Sequence, residues 1–206
     1  LFGISATFNK LVLANVNPLV AAGLIYFIAG IVLLAVRLSP LKKRILSLLE
    51  TPTVTESFIS KRDYRILAFV IQSGSIAAPF LFIFGLNETS AVNTSLLLNT
   101  ESLFTVAIAF AFLGERALKK DYAGIAIIII GAVLVTTNAN FSDIALTKGI
   151  IGNLLVVAAC LFWGIDNNLS KLISKKKDLI LISALKCFIG GSILLMLSLL
   201  MGFNFN

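Results

Sequence analysis

Apolar runs, each about as long as the hydrocarbon layer of a membrane is thick, recur along the whole of this 206-residue chain. They fall at about residues 1–15, 18–37, 64–85, 89–113, 121–139, 149–172 and 179–202. A helix needs roughly 20 apolar residues to cross about 30 Å of hydrocarbon. Strands of a membrane barrel would be about 10 residues long with strict polar–apolar alternation, and no such alternation occurs. The runs therefore predict an all-α polytopic membrane protein with about seven transmembrane helices, the first truncated at its start. Composition agrees: 58% of residues are hydrophobic, against about 45–50% in an average soluble domain.

Basic residues orient these helices. Between the second and third runs stand Arg37, Lys42, Lys43, Arg44, Lys61, Arg62 and Arg65. Between the fourth and fifth stand Arg116, Lys119 and Lys120, and between the sixth and seventh Lys171, Lys175, Lys176 and Lys177. Fourteen of the seventeen Lys and Arg thus share one side, which the positive-inside rule makes cytoplasmic. The N-terminus is then cytoplasmic, and the expected location is a prokaryotic cytoplasmic membrane. The net charge of +7 follows from these loops, not from a nucleic-acid face, since no basic patch with interleaved aromatics is present. "SPLKKRILSLLE" reads either as a short helix on the inner leaflet, with Ser39 as its N-cap, or as a solvated loop.

Histidine is absent, which removes the commonest general base and metal ligand. Cys160 and Cys187 lie inside apolar runs with no disulfide or metal spacing. No phosphate-binding loop is present, so no cofactor is expected and any work must draw on a gradient.

The chain also repeats itself. Gly3–Leu34 aligns with Gly164–Leu195 without a gap, with ten identities over 32 positions that include Gly3/Gly164, Lys10/Lys171, Phe27/Phe188 and Gly30/Gly191. Five runs separate the copies, an odd number, so the second copy enters the membrane from the opposite side. Inverted repeats of this kind characterise secondary transporters.

"NETSAVNTSLLLNTESLFTVAIAFAFLGERALKKDYAGIAIIIIGAVLV" and "CLFWGIDNNLSKL" resemble the EamA-type family of the drug/metabolite transporter superfamily. The resemblance covers the whole chain. It implies a ten-helix carrier of two five-helix inverted repeats. The division expected is 1–139 for the first repeat, 140–148 for an outer linker, and 149–206 for the first two helices of the second repeat. It implies transport of a small metabolite, an amino acid or similar, by alternating access, with no enzymatic activity. Glu115, within "LGER", belongs to the family's motif and is expected as a structural clasp at the cytoplasmic face. Partners expected are the lipid bilayer, a small-molecule substrate and protons, with a homodimer left open. The rival readings are an intramembrane lipid-modifying enzyme, which would need clustered acids or metal ligands near one leaflet, and a non-transporting scaffold.

The fourth run poses the chemical question, because Glu101 stands at its centre. An acid at that depth costs about 3 kcal/mol or more unless paired, protonated or wetted. At helical spacing Ser90, Asn93, Thr94, Leu97, Thr100, Glu101, Phe104 and Thr105 form one stripe, which suits the wall of a hydrated cavity. Glu101 reads as a substrate or proton group, or else as a neutral acid bonded to a neighbouring helix. Asp166, with Trp163, Asn167 and Ser170, forms one face of the sixth run. Lys186 in the seventh lies at similar depth, so an Asp166–Lys186 ion pair is expected, either structural or on a pathway. Lys10 either snorkels to the interface or meets an anionic substrate group. Gln72 either lines the cavity or bonds between helices. Pro79 should break the third helix by removing a hydrogen bond to Ser75. Gly23 and Gly30, and Gly124 and Gly131, mark faces of close helix contact.

Overall fold

The structure, a computed structural model, describes residues 2–14, 16–41, 44–45, 61–114, 119–136, 148–174 and 178–202. All regular structure among them is helical: α1 (Phe2–Leu13), α2 (Pro18–Leu38), α3 (Lys61–Val70), a π-helical segment (Ile71–Ala77), α4 (Ala78–Glu88), α5 (Ala91–Leu97), α6 (Thr100–Phe112), α7 (Lys119–Thr136), α8 (Lys148–Ser174) and α9 (Leu179–Leu200). Among the described residues, five segments are long and apolar enough to span a membrane: Pro18–Leu38, Asp63–Glu88, Ala91–Phe112, Gly149–Ile173 and Leu179–Leu200. The first and fifth apolar runs give shorter helices, 12 residues in α1 and the apolar stretch Tyr122–Val135 within α7. The protein is an all-α polytopic membrane protein.

Local chemistry sets the helix ends. Asn17 caps α2 by accepting the Leu19 N–H at 2.9 Å, with Pro18 opening the helix. Ser90 caps α5 through the Asn93 N–H, and Asp178 caps α9 through the Leu181 N–H. Ser39 ends α2: its N–H and its hydroxyl both bond the Val36 carbonyl, and Leu41, Arg44 and Ile45 after it are helical. Most of the stretch after it, residues 42, 43 and 46–60, lies outside the described residues.

Helix α2 packs most extensively on α9, and α8 packs on α4 and α6. The α2–α9 contact is antiparallel. A Cβ on Gly23 would sit 2.8 Å from the Leu195 side chain, and one on Gly30 would sit 2.5 Å from the Phe188 backbone nitrogen. A Cβ on Gly191 would run into the backbone of Phe27. At the end of the pair Arg37 Nε meets Asp178 Oδ2 at 3.2 Å. The contact is also reciprocal. Gly30 and Gly191 are repeat counterparts, as are Phe27 and Phe188; each glycine meets the other copy's phenylalanine. The two rings stack with centroids 5.1 Å apart. The matched residues of the sequence repeat thus meet one another across the α2–α9 contact.

Two apolar clusters fill the interior. One contains Leu19, Phe82, Leu86, Leu97, Val156 and Leu194, among others; the other contains Leu67, Val70, Ile71, Ile173 and Ile182. Along the third span, α8 and α9, the residues between the clusters include Gly74, Trp163, Asp166 and Lys186. A polar layer is thus held between two apolar ones.

Gly124 and Gly131 contrast with the α2 glycines: nothing lies within 4 Å of a Cβ placed on either. The expectation of close contact on that face of α7 does not hold among the described residues. The two classes of glycine should respond oppositely to one methyl group. Gly30→Ala overpacks a backbone contact and is expected to destabilise the bundle by about 1–3 kcal/mol. Gly124→Ala gains helix propensity and is expected to be neutral or stabilising by up to about 1 kcal/mol. Thermal unfolding of the detergent-solubilised protein checks both, and equal losses would remove the distinction.

Candidate functional site

Pro79 organises the site by what it cannot donate. Upstream of it the helix widens to π geometry, and the Ala78 N–H bonds the Ser73 carbonyl, five residues back. In that register the Gly74 carbonyl would pair with residue 79, which has no N–H. Other helices fill the vacancy. Trp163 Nε1 donates to Gly74 O at 3.2 Å and the Tyr26 hydroxyl donates at 3.3 Å; Trp163 Nε1 is also 3.3 Å from the Tyr26 oxygen. One carbonyl thus ties α2, the third span and α8 together at mid-depth. The helix break expected from Pro79 takes this π-helical form.

Gly74 has a second duty. A Cβ there would overlap the carboxyl group of Asp166, so the glycine admits that acid. Asp166 is buried. Lys186 Nζ lies 2.5 Å from its Oδ2, and Ser170 Oγ donates to Oδ1 at 3.1 Å. Both charges are neutralised within the bundle, which offsets much of their desolvation.

Glu101 has different company. The fourth span is interrupted at Leu98–Asn99, between α5 and α6. The Glu101 N–H bonds Leu98 O, three residues back. The Leu97 carbonyl, deprived of that donor, accepts the Thr100 hydroxyl at 2.7 Å. Glu101 thereby enters the first turn of α6, where the helix dipole favours a carboxylate. Asn167 Nδ2 donates to Glu101 Oε1 at 2.8 Å and lies 3.3 Å from Thr105 Oγ1. Glu101 takes no part in the Arg37–Asp178 or Lys186–Asp166 ion pair.

Two cavities flank this acid. One, of about 300 Å³, is lined by Ser5, Asn9, Ile25, Tyr26, Phe82, Glu101 and Trp163 together with Ala22, Pro79, Ile83 and Leu98. The other, of about 420 Å³, is lined by Leu98, Asn99, Glu101, Ser102, Thr105, Val106 and Asn167. Glu101 and Leu98 are common to both. Glu101 thus borders both volumes.

Of the residues singled out from the sequence, Glu101 and Trp163 line the first cavity. Asp166 sits behind it in the ion pair. Thr94 and Thr100 are buried, and Asn93 is half-buried; none of the three lines either cavity. The Thr94 hydroxyl has no partner among the described residues. Gln72 is exposed and lines neither cavity. Lys10 donates to three carbonyls at the end of α4: Leu86 at 2.5 Å, Asn87 at 2.8 Å and Thr89 at 2.8 Å. It satisfies groups that a helix C-terminus leaves open. Glu115 lies outside the described residues. Tyr26 was the residue not anticipated. A buried tyrosine must find a hydrogen-bond partner, and the carbonyl left by Pro79 is the signal that pointed to one.

Known proteins share much of this sequence. The profile of the EamA-like transporter family matches residues 1–137. An uncharacterized transporter of Methanothermobacter thermautotrophicus is 41% identical over 203 residues, which is 98% of this chain and 59% of that protein. The uncharacterized transporter YetK of Bacillus subtilis is 24% identical over 192 residues, 91% of this chain and 53% of that protein. The chain thus spans between half and two thirds of the length of these relatives. No solved structure matches it.

The ion pair offers a direct test of its energetics. Lys186→Met leaves Asp166 buried without its cation and is expected to cost about 3–5 kcal/mol, whereas adding Asp166→Asn to it should recover most of that loss. Unfolding of the single and double variants in detergent checks this; a double variant as unstable as the single one would contradict it.

Proposed function

The chain belongs to the EamA-like transporter family, and from that membership we propose that it forms the larger part of a secondary transporter or exchanger of a small metabolite, an amino acid or similar. Residues 1–139 would form one five-helix repeat and residues 149–206 would open a second, inverted one, giving ten helices in the whole protein. The observation that carries the reading is Glu101. It stands half-way along a membrane span, meets no cation among the described residues, and borders two cavities. Such a group binds solute, carries a proton, or alternates between the two. The reciprocal α2–α9 contact supports alternating access, because halves related by a two-fold axis can rock against each other about it. The basic loops support a cytoplasmic N-terminus in a prokaryotic cytoplasmic membrane.

Transport is read with a compartment. The full-length protein in liposomes is expected to catalyse counterflow of at least one member of a metabolite panel. Glu101→Gln is expected to lower that exchange by at least about tenfold, the scale of one charge-assisted hydrogen bond, and to remove any response to a pH gradient. Exchange that survives unchanged in the variant would deprive Glu101 of its role. Modification of lipid in detergent, with no exchange in liposomes, would favour an enzyme instead.

A further inference from the structure

The lining of the first cavity narrows the substrate class. Aromatic rings make up much of its wall: Tyr26, Phe82 and Trp163, with Phe82 and Trp163 tilted against each other at 5.4 Å between centroids. The polar ends of Tyr26 and Trp163 are already committed to Gly74 O, so what these two residues have left to offer is ring surface. Of the charged side chains among the described residues, Glu101 alone lines the cavity. Asn167 occupies one of its carboxylate oxygens and leaves the other to accept.

The cations tell the complementary half. Three cations of the described helices are engaged elsewhere. Lys10 holds the carbonyls at the end of α4, Lys186 holds Asp166, and Arg37 holds Asp178. None lines the cavity. A carboxylate entering it would meet Glu101 and ring faces, whose quadrupoles repel anions and attract cations, with only the neutral Ser5 and Asn9 on the wall to offset them. The volume, about 300 Å³, lies at the small end of ligand cavities, which run from about 300 to 1,000 Å³.

We propose that this cavity takes a small organic amine without a carboxylate, its cationic nitrogen on Glu101 and its apolar or aromatic body against Tyr26, Phe82 and Trp163. The inference rests on the transporter reading for its physiological meaning and sharpens the substrate class of the same site. It favours an amine over a zwitterionic amino acid.

Three probes of nearly one shape separate the possibilities: phenethylamine, phenylalanine and 3-phenylpropionate, titrated calorimetrically into the full-length protein in detergent. Phenethylamine is expected to bind at least about tenfold more tightly than phenylalanine, with 3-phenylpropionate weakest, since making or breaking one charge-assisted hydrogen bond changes affinity by about that factor or more. Glu101→Gln should weaken phenethylamine binding by a similar factor, and Glu101→Asp should retain part of it. Phenylalanine binding as tightly as phenethylamine overturns the proposal on the wild type alone, whether or not the variants fold. Undiminished phenethylamine binding in a folded Glu101→Gln protein overturns it equally. Binding needs no compartment, so the result is independent of counterflow. Exchange of metabolites with no preference for the amine removes the amine site and leaves transport standing; amine-selective binding without exchange does the reverse.

Discussion

A peptide carbonyl in hydrocarbon must have a partner, because no water is there to supply one. Helical spans meet that demand internally, and Pro79 defeats it at one place, Gly74. The bundle's centre is arranged around that local shortage. The π-helical segment shifts the hydrogen-bond register so that the deficit falls on a glycine carbonyl. Tyr26 and Trp163 close on it from two other helices. Both residues also line the first cavity. The missing methyl of Gly74 admits the Asp166 carboxyl group, which brings Lys186 with it. A single imino acid thus fixes three helices and the placement of one buried ion pair.

The two acids of this layer are treated oppositely. Asp166 is matched by a cation and enclosed. Glu101 has a neutral amide for a partner and borders open volume. Nothing about a carboxyl group as such makes this difference; the neighbouring helix does. Helix α9 carries Lys186 at the depth of Asp166, whereas no helix among the described residues presents a cation to Glu101. Burial with a counter-charge makes a charge part of the scaffold. Exposure to a cavity without one leaves it available to something that enters.

Length, hydropathy and charge made the spans legible from the sequence, because the bilayer imposes one dimension on every helix. Phe27, Phe188, Gly30 and Gly191 were legible as matched positions; that they meet one another was not. The faces were less so. Thr94 and Thr100 sit at helical spacing from Glu101, yet both are buried in contact with other helices, and Leu98 and Ser102 line the cavities instead. The break at Leu98–Asn99 interrupts the uniform phase that a single ideal helix assumes. The periodicity of one helix also says nothing about which neighbour covers each side. Lys10 shows the same limit: its depth was readable, but its three carbonyl partners come from a helix end more than seventy residues away. Gly124 and Gly131 repeat the spacing of Gly23 and Gly30 without their contact, since spacing alone does not supply the opposing helix.

Matched positions of the sequence repeat are used differently in the two copies. Ser5 and Asn9 in α1 correspond to Asp166 and Ser170 in α8, and in each copy the two side chains, one turn apart, are hydrogen-bonded, at 3.4 Å and 3.1 Å. Ile25 in α2 corresponds to Lys186 in α9. In the first copy Ser5, Asn9 and Ile25 all stand on the cavity wall. In the second, the same three positions carry an acid, a hydroxyl and a lysine that bond one another, and none of the three lines either cavity beside Glu101. A neutral pair beside an isoleucine has nothing to pull the helices inward, whereas an acid opposite a lysine does. The copy with the neutral positions thus supplies three wall residues to the cavity that Glu101 lines, whereas the matched positions of the other copy are spent on a buried ion pair.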